Sequence, residues 1–297
     1  MMGAATVRRS LRRRRWQQRL AWAALWSAGL MTGAMLLAVV GYLLWRGMGV
    51  LSLDFLLTPP RGGLSGEGGI STTILTTLDL VLLTMAVAAP VGVGAAIYLV
   101  EYGEARGGRR GRRFVRWVRF GVETLAGVPS ILFGLFGYAL FVSALHFGFS
   151  LLAAGLTGAC LILPVIIRTS EEALRAVPRA YREGGLALGA THWQTIWRVV
   201  LPSALPGIAT GLVLSVGRII GETAVFYVTL GGSYRKPTSL LSGGRTMALH
   251  LFYLAMETRA FDKAMGTAVV LLLAVIFVNA AIHAVARRGT AHGRQRR

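Results

Sequence analysis

The sequence predicts an all-α protein that crosses a membrane six times, on three observations. The first is composition: 54% of residues are hydrophobic and only 15% charged, with a mean hydropathy of +0.59, where a soluble domain carries about 25% charged residues. The second is a set of six segments apolar and long enough to cross about 30 Å of hydrocarbon, at 20–45, 71–99, 121–145, 151–167, 206–230 and 264–286. The third is the placement of the basic residues. Segments 1–19, 101–119, 168–203 and 287–297 carry 24 arginines, the intervening connections carry seven Lys or Arg, and Arg218 lies inside a span. Cytoplasmic connections of membrane proteins carry the basic excess, so both termini are expected in the cytoplasm. The net charge of +20 is thus spread over loops. It is not gathered in a polar domain, which argues against nucleic-acid binding.

The elements follow in order. Residues 1–19 read as a disordered, arginine-rich cytoplasmic arm that serves as a topology signal and suits contact with anionic lipid. A basic run before an apolar stretch also resembles a cleaved signal. At 20–45, however, the stretch is too long for a signal core and no small-x-small site ends it, so it is read as the first span. The glycine-rich segment 59–70, PPRGGLSGEGGI, has no strand-to-helix context for a phosphate cradle and reads as a flexible connection. Asp79 intrudes on the second span near Thr76, Thr77 and Thr84. A local hydrogen bond or a place near the outer interface accounts for it, and it is left out of the site. The fourth span is short, and Arg168 at its end can snorkel to the headgroups. Cys160, the single cysteine, packs as a small apolar residue.

Between the fourth and fifth spans lies a polar island, 169–203 at its core. Thr169 with Glu172 and Thr191 with Gln194 read as two capping boxes. Pro178 interrupts the first helix. Gly189 sits where a helix C-terminal glycine belongs, and Pro202 and Pro206 mark entry into the next span. The island therefore reads as short helices held against the membrane surface, a platform for a partner. In the fifth span Arg218 and Glu222 are spaced i,i+4, with Gly217 and Gly221 beside them. A charge at mid-bilayer costs at least about 2.5–3.5 kcal/mol. Two accounts stand: a structural ion pair hiding both charges, or a polar substrate path through a close helix contact. The 287–297 tail is basic and cytoplasmic.

Several chemistries are missing. Lys236 precedes Pro237 and Lys263 precedes Ala264, so no Gly-Lys-Ser/Thr phosphate loop exists. The five histidines share no metal-ligand spacing, and no paired carboxylates or nucleophile elbow occur. The chain reads as no enzyme, with no cofactor or metal of its own.

The order Glu183, Gly184, Gly185, Gly189, then Val199-x-Leu201-Pro202 resembles the "EAA" loop of ABC-importer permeases. Gly184 and Gly185 replace the usual alanines, which softens the helix by about 1–2 kcal/mol. The run Arg218-Ile-Ile-Gly221-Glu222-Thr223-Ala224 is similar to the R-x-x-G-E-T-A signature of phosphate-specific permeases of the PstA type. Gly94-Ala-Ala-Ile-Tyr-Leu-Val-Glu101-Tyr102, Leu125-Ala-Gly-Val-Pro129-Ser-Ile and Leu163-Pro-Val-Ile-Ile-Arg168-Thr-Ser agree with it, in order. From about residue 46 to 286 the chain is identified as a member of that family.

The resemblance implies a type I importer permease fold within 20–286, in a bacterial cytoplasmic membrane, with a cytoplasmic coupling helix. It implies ATP-driven phosphate uptake, with Arg168 and Arg218 on the phosphate path. Glu222 would hold Arg218 or take a proton from phosphate. Glu183, Gly184, Gly185, Gly189, Leu201 and Pro202 would couple to the ATPase. The implied partners are a second permease (PstC type), two ATPase subunits (PstB type) that use ATP and magnesium, and an extracytoplasmic phosphate-binding protein (PstS type), in membrane lipid. Two alternatives remain: a permease for sulfate or molybdate, and a phosphate-sensing scaffold that transports nothing.

Overall fold

The computed structural model describes residues 3–62, 66–104 and 108–294. Helix α1 runs Gly3–Gly47, so the arginine-rich arm, expected to be disordered, is helical from Gly3 onward. It meets the remainder near its C-terminal end on the last helix, where Gly47 packs against Val269 and the Met265 carbonyl. A short turn and α2 (Leu53–Leu57), capped by the Ser52 hydroxyl, lead into the glycine-rich segment. That segment is not a simple flexible connection. Strands β1 (Pro60–Gly62) and β2 (Glu67–Gly68) pair antiparallel, and Lys263 Nζ donates to the carbonyls of Gly66 and Gly68 at 2.9 and 3.4 Å.

The core is three helices. Helix α3 (Ser71–Ile97) continues through π-helical turns to Glu104. After α4 (Gly108–Ala126) and α5 (Ser130–Gly137), which continues through a π-helical stretch to Ala144, comes α6 (Leu151–Ala176), the second core helix. Helices α7 (Arg179–Ala187) and α8 (His192–Thr195) form the platform. A π-helical stretch, Ile196–Val200, joins α8 to α9 (Leu201–Gly221), the third core helix. Small residues let these three approach: Gly92 abuts Ile166, Gly158 abuts Thr84 and Ile219, and Gly211 abuts Thr169, the contact mode expected between membrane helices. Leu80, Ala88, Leu161, Ile162, Ile219 and Phe226 fill the centre of one cluster. A second, around Ile97, Leu174, Ile196, Val200 and Ile208, packs the platform end. Helix α10 (Ala224–Thr229) packs on α5, and α11 (Met247–Met256) precedes α12 (Phe261–Arg294). The last helix runs through the basic tail as far as Arg294.

Among the described residues five helices are long and apolar enough to cross a membrane, and a bent pair makes a sixth if its two helices count as one span. The bent pair corrects the third span. It was expected over 121–145, but the chain turns by 103° between α4 and the 130–144 helix. Val128 precedes Pro129, a position disfavoured in helix, and Pro129 caps α5. The first capping box is also corrected. Thr169 lies in mid-helix and its hydroxyl donates back to the Val165 carbonyl at 2.8 Å, so α6 runs uninterrupted past Arg168. The second box forms as read: Thr191 and Gln194 bond reciprocally.

Candidate functional site: a charged membrane lane and a docking platform

The fifth span holds the largest departure. It was read as continuous over 206–230 with Arg218 and Glu222 one turn apart. Instead α9 ends at Gly221, and Glu222 is extended (φ −76°, ψ 130°). That breaks the helical spacing. The Glu222 carboxylate accepts the Val225 backbone N–H at 3.4 Å at the start of α10, and no Arg218–Glu222 ion pair is found among the described residues. Arg218 is exposed on α9, as is Gly221, and Glu222 is half-buried. The structural-pair account therefore fails for this conformation.

Arg168 is exposed on α6 and lies 3.7 Å from Glu172, i,i+4 on the same helix. Thr169 and Ala173 pack on Gly211 and Gly207, so α6 and α9 run antiparallel. Arg168 is thus level with about residue 212, six residues from Arg218, or about 9 Å along the axis at 1.5 Å per residue. The two arginines occupy neighbouring core helices at different depths, not one point.

The residues expected to couple lie on α7, at the turn after it and at the start of α9. Gly189 has φ +82°, the left-handed conformation that ends α7. Gly184 faces open space, whereas a Cβ on Gly185 would come within 2.9 Å of Thr195 Cγ2. Glu183 is exposed, and Leu201–Pro202 open α9. Leu188, at the turn, is 90% exposed, and Tyr181 and Leu186 are exposed beside it. Apolar side chains so displayed at a loop tip mark a contact surface.

Sequence reasoning missed what holds this platform. Glu101, at the end of α3, is 3% exposed. Arg182 of α7 donates to its carboxylate through Nε (3.0 Å) and Nη2 (2.7 Å), and to the carbonyls of Val177 (2.7 Å) and Leu174 (2.8 Å). His192 Nε2 lies 3.3 Å from the Glu101 carbonyl, and its ring packs edge-on to Tyr102. One arginine thus ties the second span, the end of α6 and the platform. A second bracket joins α4 to α6, where Glu171 meets both Arg119 and Arg175. Both pairs join residues distant in sequence, and the only signal was that each acid stands in a basic loop.

At the opposite end of the fold, Arg245 is 7% exposed, bonded to the Gly232 carbonyl and stacked on Tyr253 and Tyr234. Burial lowers its pKa, and burial with Arg245 and Lys263 nearby pushes His250 down to about 4.

The family described as binding-protein-dependent transport system inner membrane component matches residues 88–288. The chain belongs to that family. A phosphate transport system permease protein PstA of Mycobacterium leprae is 38% identical over 71% of this permease and 68% of its own length. A probable ABC transporter permease protein, YqgI, of Bacillus subtilis is 29% identical over 84% and 87%. In fold, the permease is similar to a chain of the inward-facing MetNI methionine ABC transporter (TM-score 0.58, 21% identity, 74% of this chain and 94% of that one). It is also similar to a chain of a bacterial ABC transporter that imports alginate (0.58, 17%, 93% and 99%). The permease is therefore a multi-pass inner-membrane protein with the type I importer fold.

Proposed function

We propose that this permease conducts phosphate in an ATP-driven importer, at its interface with a second, homologous permease. The observation that carries the reading is Arg218: a permanent charge on a membrane-spanning helix, exposed in the single chain and without an acid partner among the described residues. Such a charge needs a polar neighbour. A partner permease covering this face would leave the guanidinium in an enclosed, water-lined path. Its planar fork matches a compact oxyanion with several acceptor oxygens. Arg168 supplies a second positive charge about 9 Å along the axis toward the platform, and Glu222 bounds the path at the helix break.

The phosphate permeases among the relatives support the choice of substrate. The partners proposed are those of the phosphate system: a PstC-type permease, two PstB-type ATPases that bring ATP and magnesium, and a PstS-type binding protein outside. The ATPase docks on 179–195, and both termini lie in the cytoplasm.

Phosphate uptake by Arg218→Lys and Arg218→Gln, at matched complex abundance, tests the path. Both variants are expected to assemble and to lose transport at least about tenfold, since the lysine point charge does not reproduce the fork and glutamine removes the charge. Near-normal phosphate uptake by Arg218→Gln would overturn the role. Sulfate competing as well as phosphate in the wild type would overturn the substrate.

A further inference from the structure

Helix α4 is unused by the transport reading, and its sides differ sharply. One side faces the protein: Val115 is 1% exposed against Gly103, and Arg119 reaches Glu171. A second carries Phe114, Trp117 and Phe120, all more than half exposed. Spaced three apart, they form one stripe, with Trp117 and Phe120 edge to face at 6.2 Å. A third carries Arg109, Arg112 and Arg116, while Arg110 and Arg113 lie on the stripe's own face, one turn before Phe114 and Trp117; all five are exposed. The helix turns by 103° from the 130–144 segment, so the two do not share an axis: with 130–144 set along the membrane normal, the α4 axis lies close to the membrane plane.

We propose that α4 is an interfacial helix that binds anionic phospholipid headgroups of the adjoining leaflet. An exposed aromatic stripe with a basic face is the composition of helices that lie in the headgroup region, and Trp belongs at that depth. The stripe enters the acyl boundary, and the arginines take lipid phosphates through paired N–H bonds. An open depression of about 520 Å³, lined by Arg112, Arg116, Arg119, Phe120 and Glu123, lies beside the stripe and admits a headgroup. Glu123 excludes part of its rim to anions, so the arginines N-terminal to it form the site. The occupant is lipid and not a protein because the aromatic stripe lies on a helix that begins one turn away from a membrane-crossing segment.

The test uses the assembled complex in phosphatidylcholine nanodiscs with equal minor fractions of brominated phosphatidylglycerol or brominated phosphatidylcholine. Trp117 emission is taken as wild type minus Trp117→Phe. It is expected to be quenched more by brominated phosphatidylglycerol. Raising salt should erode that preference, and Arg112→Gln/Arg113→Gln/Arg116→Gln should abolish it, at about fivefold in affinity per arginine. Equal quenching by the two lipids, or a preference indifferent to salt, overturns the proposal; the salt series decides alone if the triple variant does not assemble. Quenching by neither lipid, or loss of quenching when the ATPase is added to the permeases, would assign the face to a protein and also overturn it.

Discussion

Gly189 carries a backbone φ of +82° with no atom near the place of a Cβ, so the conformation alone excludes larger residues there. A β-branched residue in this region costs on the order of 1–3 kcal/mol. Gly189→Val is therefore expected to insert normally while ATPase co-purification and phosphate uptake fall together, several-fold. Normal uptake at normal membrane abundance would remove Gly189 from the coupling surface. The paired glycines separate by the same reasoning. Gly184 faces open space within α7, so Gly184→Ala should stabilise the platform by up to about 1 kcal/mol through helix propensity. Gly185 presses on Thr195, which is itself buried, so Gly185→Ala should gain nothing or lose. Limited proteolysis of the 179–195 platform in the two variants measures the difference, and equal protection in both would contradict the packing. The softness expected of two glycines thus belongs to Gly184, while Gly185 is a close-approach residue.

Helix α7 is short and amphipathic, and its position depends on Arg182, whose five hydrogen bonds reach Glu101 and two carbonyls. Truncating one partner of a buried ion pair leaves the other uncompensated and typically costs 3–5 kcal/mol, whereas neutralising both is milder. Arg182→Gln should therefore uncouple transport, leaving ATP hydrolysis no longer stimulated by the loaded binding protein, and Arg182→Gln/Glu101→Gln should recover part of that stimulation. Equal stimulation in wild type and Arg182→Gln would show that the bracket is only structural. This bracket was not legible in the sequence because it joins residues 81 apart. What was legible rests on local rules: apolar length for the core helices, the Thr191–Gln194 reciprocal cap, and left-handed glycine at Gly189. The errors have local causes too. Thr169 satisfies its hydroxyl within α6, so a capping pattern meant no cap. Gly121 through Leu125 runs on into the apolar stretch to Leu145 and so passes as the start of a span, although Pro129 signals the turn. At Glu222 nothing in the four-residue spacing from Arg218 distinguishes a helix face from a helix end. The membrane-lane residues were therefore readable as types, and their geometry was not.

At the scale of the molecule, the single chain is an open half. Helix α1 is exposed along most of its length, and the α9 face with Arg218 and Gly221 is bare, the face that the proposed second permease would cover to enclose a path. The sidedness of the proposed transport depends on whether the broken fifth helix crosses the membrane once. Leu188 lies before it on the platform, 90% exposed, and Lys236 lies after it in the connection to α11, also exposed. The continuous helix from His192 to Gly221 is 30 residues, about 45 Å at 1.5 Å per residue, longer than the hydrocarbon core even before α10 is added. A return to the starting side would have to occur at Glu222 within the six residues of α10, about 9 Å of rise, which is too short to cross back. In a Cys160→Ser background, Lys236→Cys should therefore react with a membrane-impermeant maleimide in intact spheroplasts. Leu188→Cys should react only after permeabilisation, and less when the ATPase is bound. Both cysteines labelling from one side would make the 192–229 segment re-entrant and would remove the crossing on which the Arg218 path depends.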